Sequence, residues 1–350
     1  MSELQTIVEL SHEFGSPDYV RGGGGNTSTK DSSTLWVKPS GTTLGGLTAE
    51  TFVAMDRQKI NALYEVAPPT EPAAREELVK DRMAAACVND AGRPSVEAPL
   101  HNVFHATLVV HTHPAWVNGL TCARDGEAAC QRLFPDALWV EYIDPGYTLC
   151  MEVRERIAHY EATHGHQPEL LLLKNHGLFV AANTAAEIRA LHARIMATLE
   201  CVYTEAGMEL ALTLNEGERD RATEEKIGTL WGADAAYCVS TCEFDVAPGP
   251  ITPDHVVYAK AFPFAGELTE ASVAQHKAER GYAPRVVIAG SRVYGIGTSQ
   301  KNASLALEFA QDGALVMRLA DAFGGINYMT DAHRLFIENW EVEAYRQTQV

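Results

Sequence analysis

The 350-residue sequence has no uninterrupted apolar run of about 18 residues, so no segment is long enough to cross a bilayer as a helix. It has no C-x-x-C pair. Its seven cysteines (Cys87, Cys122, Cys130, Cys150, Cys201, Cys238 and Cys242) are odd in number, which argues against a disulfide framework. A reduced, cytoplasmic protein with mostly core thiols is expected. Cys238 and Cys242 make a poor metal pair, because no second Cys/His pair stands close by. Basic residues are scarce: 28 Lys and Arg against 46 Asp and Glu give a net charge of −18. Such a chain has no general attraction for nucleic acid or an anionic membrane, so an anionic substrate must be held by a metal or by local amides. The N-terminus, MSELQTIVELSHEFG, is amphipathic and acidic and lacks the basic start of a secretory leader. The glycine run at 22–25 lacks the patterns of a nucleotide phosphate loop and of a dinucleotide-binding βαβ unit.

What is present begins with VVHTHPAWVNG, residues 109–119. Val109 and Val110 are β-branched and mark a strand, and Pro114 ends it. Side chains alternate along a strand, so His111 and His113 point the same way. Two imidazoles at a strand terminus are a candidate metal-ligand pair that needs a third partner.

Around this stretch, hydrophobic periodicity predicts helices over 3–14, 71–89, 95–105, 115–123, 151–164 and 185–206. Strands are expected over 34–37, 108–113 and 137–149, with a strand–turn–strand over 169–182 centred on Asn175-His176-Gly177. Alternating strands and helices indicate an α/β or α+β layered fold. DVAPGPITPDH at 245–255 reads as a linker, dividing the chain into residues 1–245 and a C-terminal αβ segment, 246–350. In that segment, residues 285–324 repeat the layout of 170–207 at an offset of 115, with Ser291 where His176 would fall. The two readings of this are a degenerate copy and a chance likeness of two strand–turn–strand–helix units.

His176, on its turn, supplies the third candidate ligand beside His111 and His113. Neutral imidazoles suit zinc and other borderline divalent ions, and three protein ligands leave room for substrate. In GRPSVEAPLH (92–101), Pro99 at the first helical position makes Ala98 the N-cap and places Glu97 just outside the helix. Glu97 is then either a solvated acid near the helix start or a reactive carboxylate beside the metal. His101 reads as core or as support behind the site. GGGGNTS (22–28) and KPSG (38–41), rich in glycine, small hydroxyls and exposed amides, make candidate anion nests.

The ordered motifs G-G-N-T-S, K-P-S-G, S-V-E-x-P-L-H, V-V-H-T-H-P and L-L-x-N-H-G resemble the class II aldolase/adducin family over roughly residues 5 to 210. That family holds metal-dependent sugar-phosphate aldolases and ribulose-phosphate 4-epimerases. Residues from about 250 to 345 resemble the end of the aldolase part of bifunctional rhamnulose-phosphate aldolase/dehydrogenases. The resemblance implies a central, mainly antiparallel sheet flanked by helices, and a homo-oligomer. It implies Zn²⁺ (or Mn²⁺ or Co²⁺) on His111, His113 and His176, and Glu97 as the acid/base. It also implies an anion pocket at Asn26, Ser28, Ser40, Gly41 and Ser95. The family's aldolases usually carry two serines before the glutamate, but here the pair is Ser95-Val96. Either Lys38 compensates for the missing hydroxyl or the substrate's anionic end is different, for instance a carboxylate.

The implied activity is a carbon–carbon lyase acting on a ketose phosphate or related oxo-acid through an enediolate chelated by the metal, with Glu97 moving the proton. A decarboxylase or 4-epimerase on the same site is the nearest alternative. Epimerases of the family tend to carry Asp where this chain has Glu97, which favours the lyase. A non-catalytic adducin-like binding protein would be expected to have lost metal ligands, and here all three are present.

Overall fold

The computed structural model describes residues 2–214 and 217–340, so residues 341–350 of the C-terminal segment lie outside the described residues. The chain divides into two compact units. The first takes the chain up to Val117 together with Glu127–Thr198; the second takes Asn118–Gly126 and the described residues from Leu199 onward. The composition shift at 245–255 falls inside the second unit.

The first unit opens with α1 (Glu3–Glu13), whose N-cap Ser2 accepts a bond from the Gln5 amide. Then come β1 (Asn26–Lys30), β2 (Thr34–Val37), β3 (Val53–Asp56), α2 (Arg57–Tyr64), α3 (Pro72–Ala86), α4 (Ala98–Val103), β4 (Leu108–Thr112), α5 (Ala115–Thr121) and α6 (Gly126–Leu133). It ends with β5 (Leu138–Val140), α7 (Tyr147–His164), β6 (Leu170–Leu173), β7 (Gly177–Ala182) and α8 (Ala185–Glu205). The division between units falls within α5 and α8 and after the first residue of α6. The strands form one seven-stranded sheet, ordered β3-β2-β1-β4-β7-β6-β5. Only β5 and β6 run parallel; the other neighbouring pairs are antiparallel. This is the layered α/β arrangement with a mainly antiparallel central sheet that the motifs led us to expect.

Two elements depart from the sequence expectation. The strand expected over 137–149 shortens to Leu138–Val140, because the chain turns at Asp144-Pro145-Gly146 and α7 starts at Tyr147. Gly146 takes a positive φ of 99°, a conformation open to glycine at little cost. The other is β1, NTSTK, which carries no apolar signal yet is buried along its whole length in the middle of the sheet. Its place is fixed by pairing with β2 and β4 and by polar bonds, not by hydrophobicity.

The core on one side of β4 and β7 joins Leu100 and Phe104 with Val109, Val140, Leu149, Val153, Ile157, Leu171 and Phe179. Burying each large side chain contributes roughly 1.5–3 kcal/mol, so α4 and α7 are drawn onto this part of the sheet. A second core joins Leu35, Val37, Val53 and Met55 to Ile60, Leu63 and Met83 of the adjacent helices.

The second unit contains α9 (Arg221–Trp231), β8 (Tyr237–Cys242), α10 (Pro253–Tyr258), α11 (Glu270–Arg280), β9 (Val286–Ala289), β10 (Arg292–Gly297), α12 (Gln300–Ala320) and α13 (Asp331–Asn339). Its sheet is ordered β8-β10-β9 and is antiparallel throughout. Ile227, Trp231, Phe264, Val287, Tyr294 and Ile296 form its core. The strand–turn–strand–helix read at 285–324 is present as β9, β10 and α12. β7 and β10 begin at 177 and 292, and α8 and α12 at 185 and 300, with matching lengths. The order β4-β7-β6 in the first sheet has the same antiparallel pairing as β8-β10-β9. Among the described residues, no helix is long and apolar enough to cross a membrane.

Candidate metal centre

His111 lies near the end of β4, and His113 follows one residue past the strand. Their Nε2 atoms are 2.9 Å apart, as the strand alternation requires of side chains on one face. His176 stands on the turn between β6 and β7, and β7 is the sheet neighbour of β4. Its Nε2 is 3.3 Å from that of His111. Two local features hold the turn there. Asn175 takes a left-handed φ of 51°, which asparagine tolerates. A Cβ on Gly177 would collide with the Thr112 carbonyl and the His113 ring, so glycine lets the turn lie against β4. Gly25 does the same on the other side, where a Cβ would come within 2.6 Å of the His111 carbonyl oxygen.

The His111 ring is oriented from behind. Its Nδ1 is 2.8 Å from the Leu178 carbonyl oxygen, an acceptor, so Nδ1 carries the proton and the Nε2 lone pair faces the other two histidines. Phe179, its register partner across the sheet, stacks on the ring at 3.9 Å. Burial pushes the His111 pKa far below the ordinary histidine range. Glu97 opposes this, while His113 and His176 act with burial, so the ring is neutral. Three imidazole nitrogens about 2.0–2.1 Å from one tetrahedral ion would lie roughly 3.3 Å from each other. The two separations from His111, 2.9 and 3.3 Å, come close to that geometry, and the ligand atoms of all three residues lie within 4.8 Å of one another, a group that could hold a metal ion.

Glu97 faces the same point. It is the N-cap of α4 itself, one residue later in the helix frame than the position of Pro99 suggested, yet its side chain makes no capping bond. The residue is 7% exposed, which excludes a solvated helix-start acid. Oε2 accepts from Asn26 Nδ2 at 2.6 Å and lies 3.5 Å from His111 Nε2. Oε1 lies 3.7 Å from His176 Nε2 and has no hydrogen-bond partner. Burial works to raise the pKa of this carboxyl, but His111 and His176, with the Asn26 bond, outweigh it and hold the group at about 2. Neutral rings lend less of that help near pH 7. The Asn26 donor remains, and the group stays a carboxylate.

The other residues singled out in the sequence gather around Glu97 in two sets. Asn26 lies opposite His111 in the β1–β4 register. Ser95 Oγ accepts the Glu97 amide proton at 3.2 Å, and the Ser95 amide bonds to the Lys38 carbonyl. Lys38 is buried, and its Nζ donates to the Gly23 carbonyl at 3.2 Å. Ser40 donates its amide to the Arg93 carbonyl, and Gly41 turns the chain with a φ of 79°. The glycine turn, KPSG and 93–97 are thus tied into one group of loops. Ser28 belongs to the second set: it is fully buried, and its Oγ is 2.7 Å from Nδ1 of His101.

Sequence reasoning passed over Lys30. It is buried, and its Nζ donates to the His101 carbonyl at 3.0 Å. Burial, with Arg57 nearby, brings its pKa down to about 7. The available signal was its alternation with Asn26 and Ser28, which puts all three on one face of a polar strand.

Residues 5–203 match the family model described as "Class II Aldolase and Adducin N-terminal domain". A curated protein of Bacillus subtilis (strain 168), "Uncharacterized oxidoreductase YuxG", is 28% identical over 198 residues, 52% of this chain and 27% of that protein. The chain therefore spans about a quarter of the length of that relative. Among solved structures, the N-terminal class II aldolase domain of a conserved protein from Thermoplasma acidophilum is similar with a TM-score of 0.50 and 26% identity. The likeness covers 57% of this chain and 93% of that one.

Proposed function

The chain belongs to the class II aldolase and adducin family, and from that premise we propose that it is a metal-dependent carbon–carbon lyase acting on a ketose phosphate or a related oxo-acid. Membership of the family supports aldolase, epimerase or decarboxylase chemistry. The observation that carries the reading is the buried convergence of three histidine Nε2 atoms with the Glu97 carboxylate, 3.5 Å from His111 and 3.7 Å from His176.

His111, His113 and His176 would hold the ion, with zinc the best match to an all-imidazole set and Mn²⁺ or Co²⁺ the alternatives. When bound, the ion supplies positive charge to a carbonyl oxygen beside the bond that breaks. The proton belongs to Glu97. In the cleavage direction, its unpartnered Oε1 accepts the proton of the substrate hydroxyl, and as the oxygen's electrons form the new carbonyl the carbon–carbon bond to that carbon breaks, leaving its pair on the carbon next to the ketone. Glu97 then returns its proton to that carbon, which completes the cycle. Asn26 keeps the carboxylate aimed throughout. Lys38, Ser40, Gly41 and Ser95, in the tied loops beside Glu97, would bind the anionic end of the substrate, with Asn26 and Ser28 anchoring the strand beneath them. A phosphate and a carboxylate both suit these groups.

The substrate is expected to be a small sugar-derived anion, not nucleic acid or a membrane surface, in keeping with the net charge of −18. A cytoplasmic homo-oligomer is the expected state, and light scattering at micromolar concentration tests the assembly. The test of function is metal analysis of the purified protein, followed by incubation with ketose 1-phosphates, pentulose 5-phosphates and oxo-acids of sugars. Two carbonyl fragments establish the lyase. Release of carbon dioxide or formation of an isomer instead establishes the decarboxylase or epimerase reading. Metal-free protein inert to the whole panel overturns the enzyme assignment.

A further inference from the structure

We infer that His101 is a positioning residue for Glu97: bonded to Ser28, it locks the short helix α4 onto β1 and so fixes where the Glu97 carboxylate stands. This rests on reading Glu97 as the proton-transfer group. The need for such a lock follows from the helix. α4 has six residues and no side-chain capping bond at Glu97. A helix this short does not hold itself together in water, so its place is set by tertiary bonds.

Tyr64 holds the Pro99 carbonyl and Asn102 is bonded to Arg57 and Asn61, while on the Glu97 side the bonds to β1 form a ladder. Asn26, Ser28 and Lys30 alternate on one face of β1. Asn26 Nδ2 donates to Glu97, Ser28 Oγ pairs with Nδ1 of His101, and Lys30 Nζ donates to the His101 carbonyl. The pitches match: two strand residues span about 6.6–6.8 Å, and four helix residues rise about 6.0 Å. Residues 26 and 28 of the strand therefore meet 97 and 101 of the helix at successive levels. The Lys30 bond also satisfies a carbonyl in the last turn of α4, one of the groups a helix end leaves open.

The His101 ring has one polar tie. It is fully buried, Nδ1 meets Ser28, and Nε2 has no partner. Phe179 packs edge-on against it at 5.4 Å, and the same Phe179 stacks on His111. The ring thus contacts the plate behind the metal ligands and the strand that holds Asn26. Burial takes its pKa down to about 3 against the pull of Glu97, with Lys30 and Lys38 acting alongside burial. The ring stays neutral, and the Ser28 bond persists across the working pH range.

The experiment compares His101→Leu, His101→Asn and Ser28→Ala in the full-length, zinc-loaded protein. Hydrogen exchange over residues 98–103, crystal structures, zinc content, and kcat and KM on the substrate found by the panel are the readouts. His101→Leu is expected to bind zinc normally and to exchange its α4 amides at least about fivefold faster. Its Glu97 carboxylate leaves Asn26, and kcat falls up to about a hundredfold with KM changed by less than about threefold. His101→Asn, which keeps a polar atom near the place of Nδ1, restores most of both effects. Ser28→Ala carries the test if His101→Leu fails to fold. Unchanged exchange and an unmoved Glu97 in His101→Leu or Ser28→Ala overturn the inference, as does His101→Asn behaving like His101→Leu. If Glu97 moves as expected but Glu97→Gln turns over like the wild type, the proton-transfer reading fails and the positioning role stands.

Discussion

Asn26 and Glu97 are 71 residues apart in the chain and are joined by a hydrogen bond of 2.6 Å between Nδ2 and Oε2. Asn26 also faces His111 across the β1–β4 pairing, so one side chain relates the acid to the first histidine. Asn26→Ala should release the carboxylate and lower kcat about 10- to 100-fold, with zinc content preserved. Asn26→Asp puts a second carboxylate beside Glu97. Like charge raises the Glu97 pKa, so the acid limb of the pH–rate profile should move to higher pH. An acid limb that stays in place separates Glu97 from that limb.

His113→Ala leaves two imidazoles, a much poorer site than three. The variant should lose stoichiometric zinc by elemental analysis and lose activity with it. Full metal occupancy with normal turnover would reassign the ligand set.

Glu97→Gln keeps the shape of the side chain and removes its basicity. Turnover should fall by about 10²–10⁴-fold while zinc content and an enediolate-mimicking inhibitor are retained. Wild-type turnover would remove Glu97 from the chemistry, and loss of zinc would make it a ligand.

Gly177→Ala should weaken the metal site without touching a ligand, because the new Cβ drives against the Thr112 carbonyl and the His113 ring. The strain of overpacking is about 1–3 kcal/mol. Zinc titration should show weaker binding, with His113 displaced in a crystal structure. Wild-type affinity would mean that the turn yields elsewhere.

The acid stability of the chain should depend in part on His192. Its ring stacks on Phe14 at 4.0 Å, and burial, opposed by a bond to the Ile188 carbonyl, brings its pKa down to about 4. The unfolded chain binds this proton near pH 6.5, whereas the folded chain binds it only near pH 4, so acidification favours the unfolded state between those values. The contribution is fully present above about pH 6.5 and falls away toward pH 4, by at most roughly 3 kcal/mol. His192→Phe should therefore lose less melting temperature than the wild type between pH 7 and pH 5. Parallel losses would assign the acid lability to other groups.

The histidines were legible in the sequence because their signal is local: H-x-H ends an apolar strand, and N-H-G marks a turn between two more. Pro99, which announces the start of a helix, located Glu97 but left it either a solvated acid or a reactive carboxylate, and only the resemblance implied a role for it. The partners of Glu97 were not legible. β1 is polar, so hydrophobic periodicity passes over it, and its bonds to Glu97 and His101 span 71 and 73 residues. Lys30 was passed over because only the fold reveals that its strand is central. The strand over 137–149 was overextended for a related reason: Pro145-Gly146 closes it in sequence, but the tertiary path leaves the sheet after Val140.

The pairing of β1 with β4, and of β4 with β7, joins segments that lie far apart in the chain. His111 and His176 are 65 residues apart, and the loop between them must close before their nitrogens share a point in space. Such distant closure carries an entropic cost that no local turn offsets in advance. Of the three ligands, an unfolded chain keeps only His111 and His113 close together, so the three-histidine site is a product of folding and not its nucleus. Once captured, the ion stabilises the folded chain in proportion to the logarithm of its free concentration over Kd. Melting temperature should therefore climb with added metal while the rate of refolding stays nearly the same.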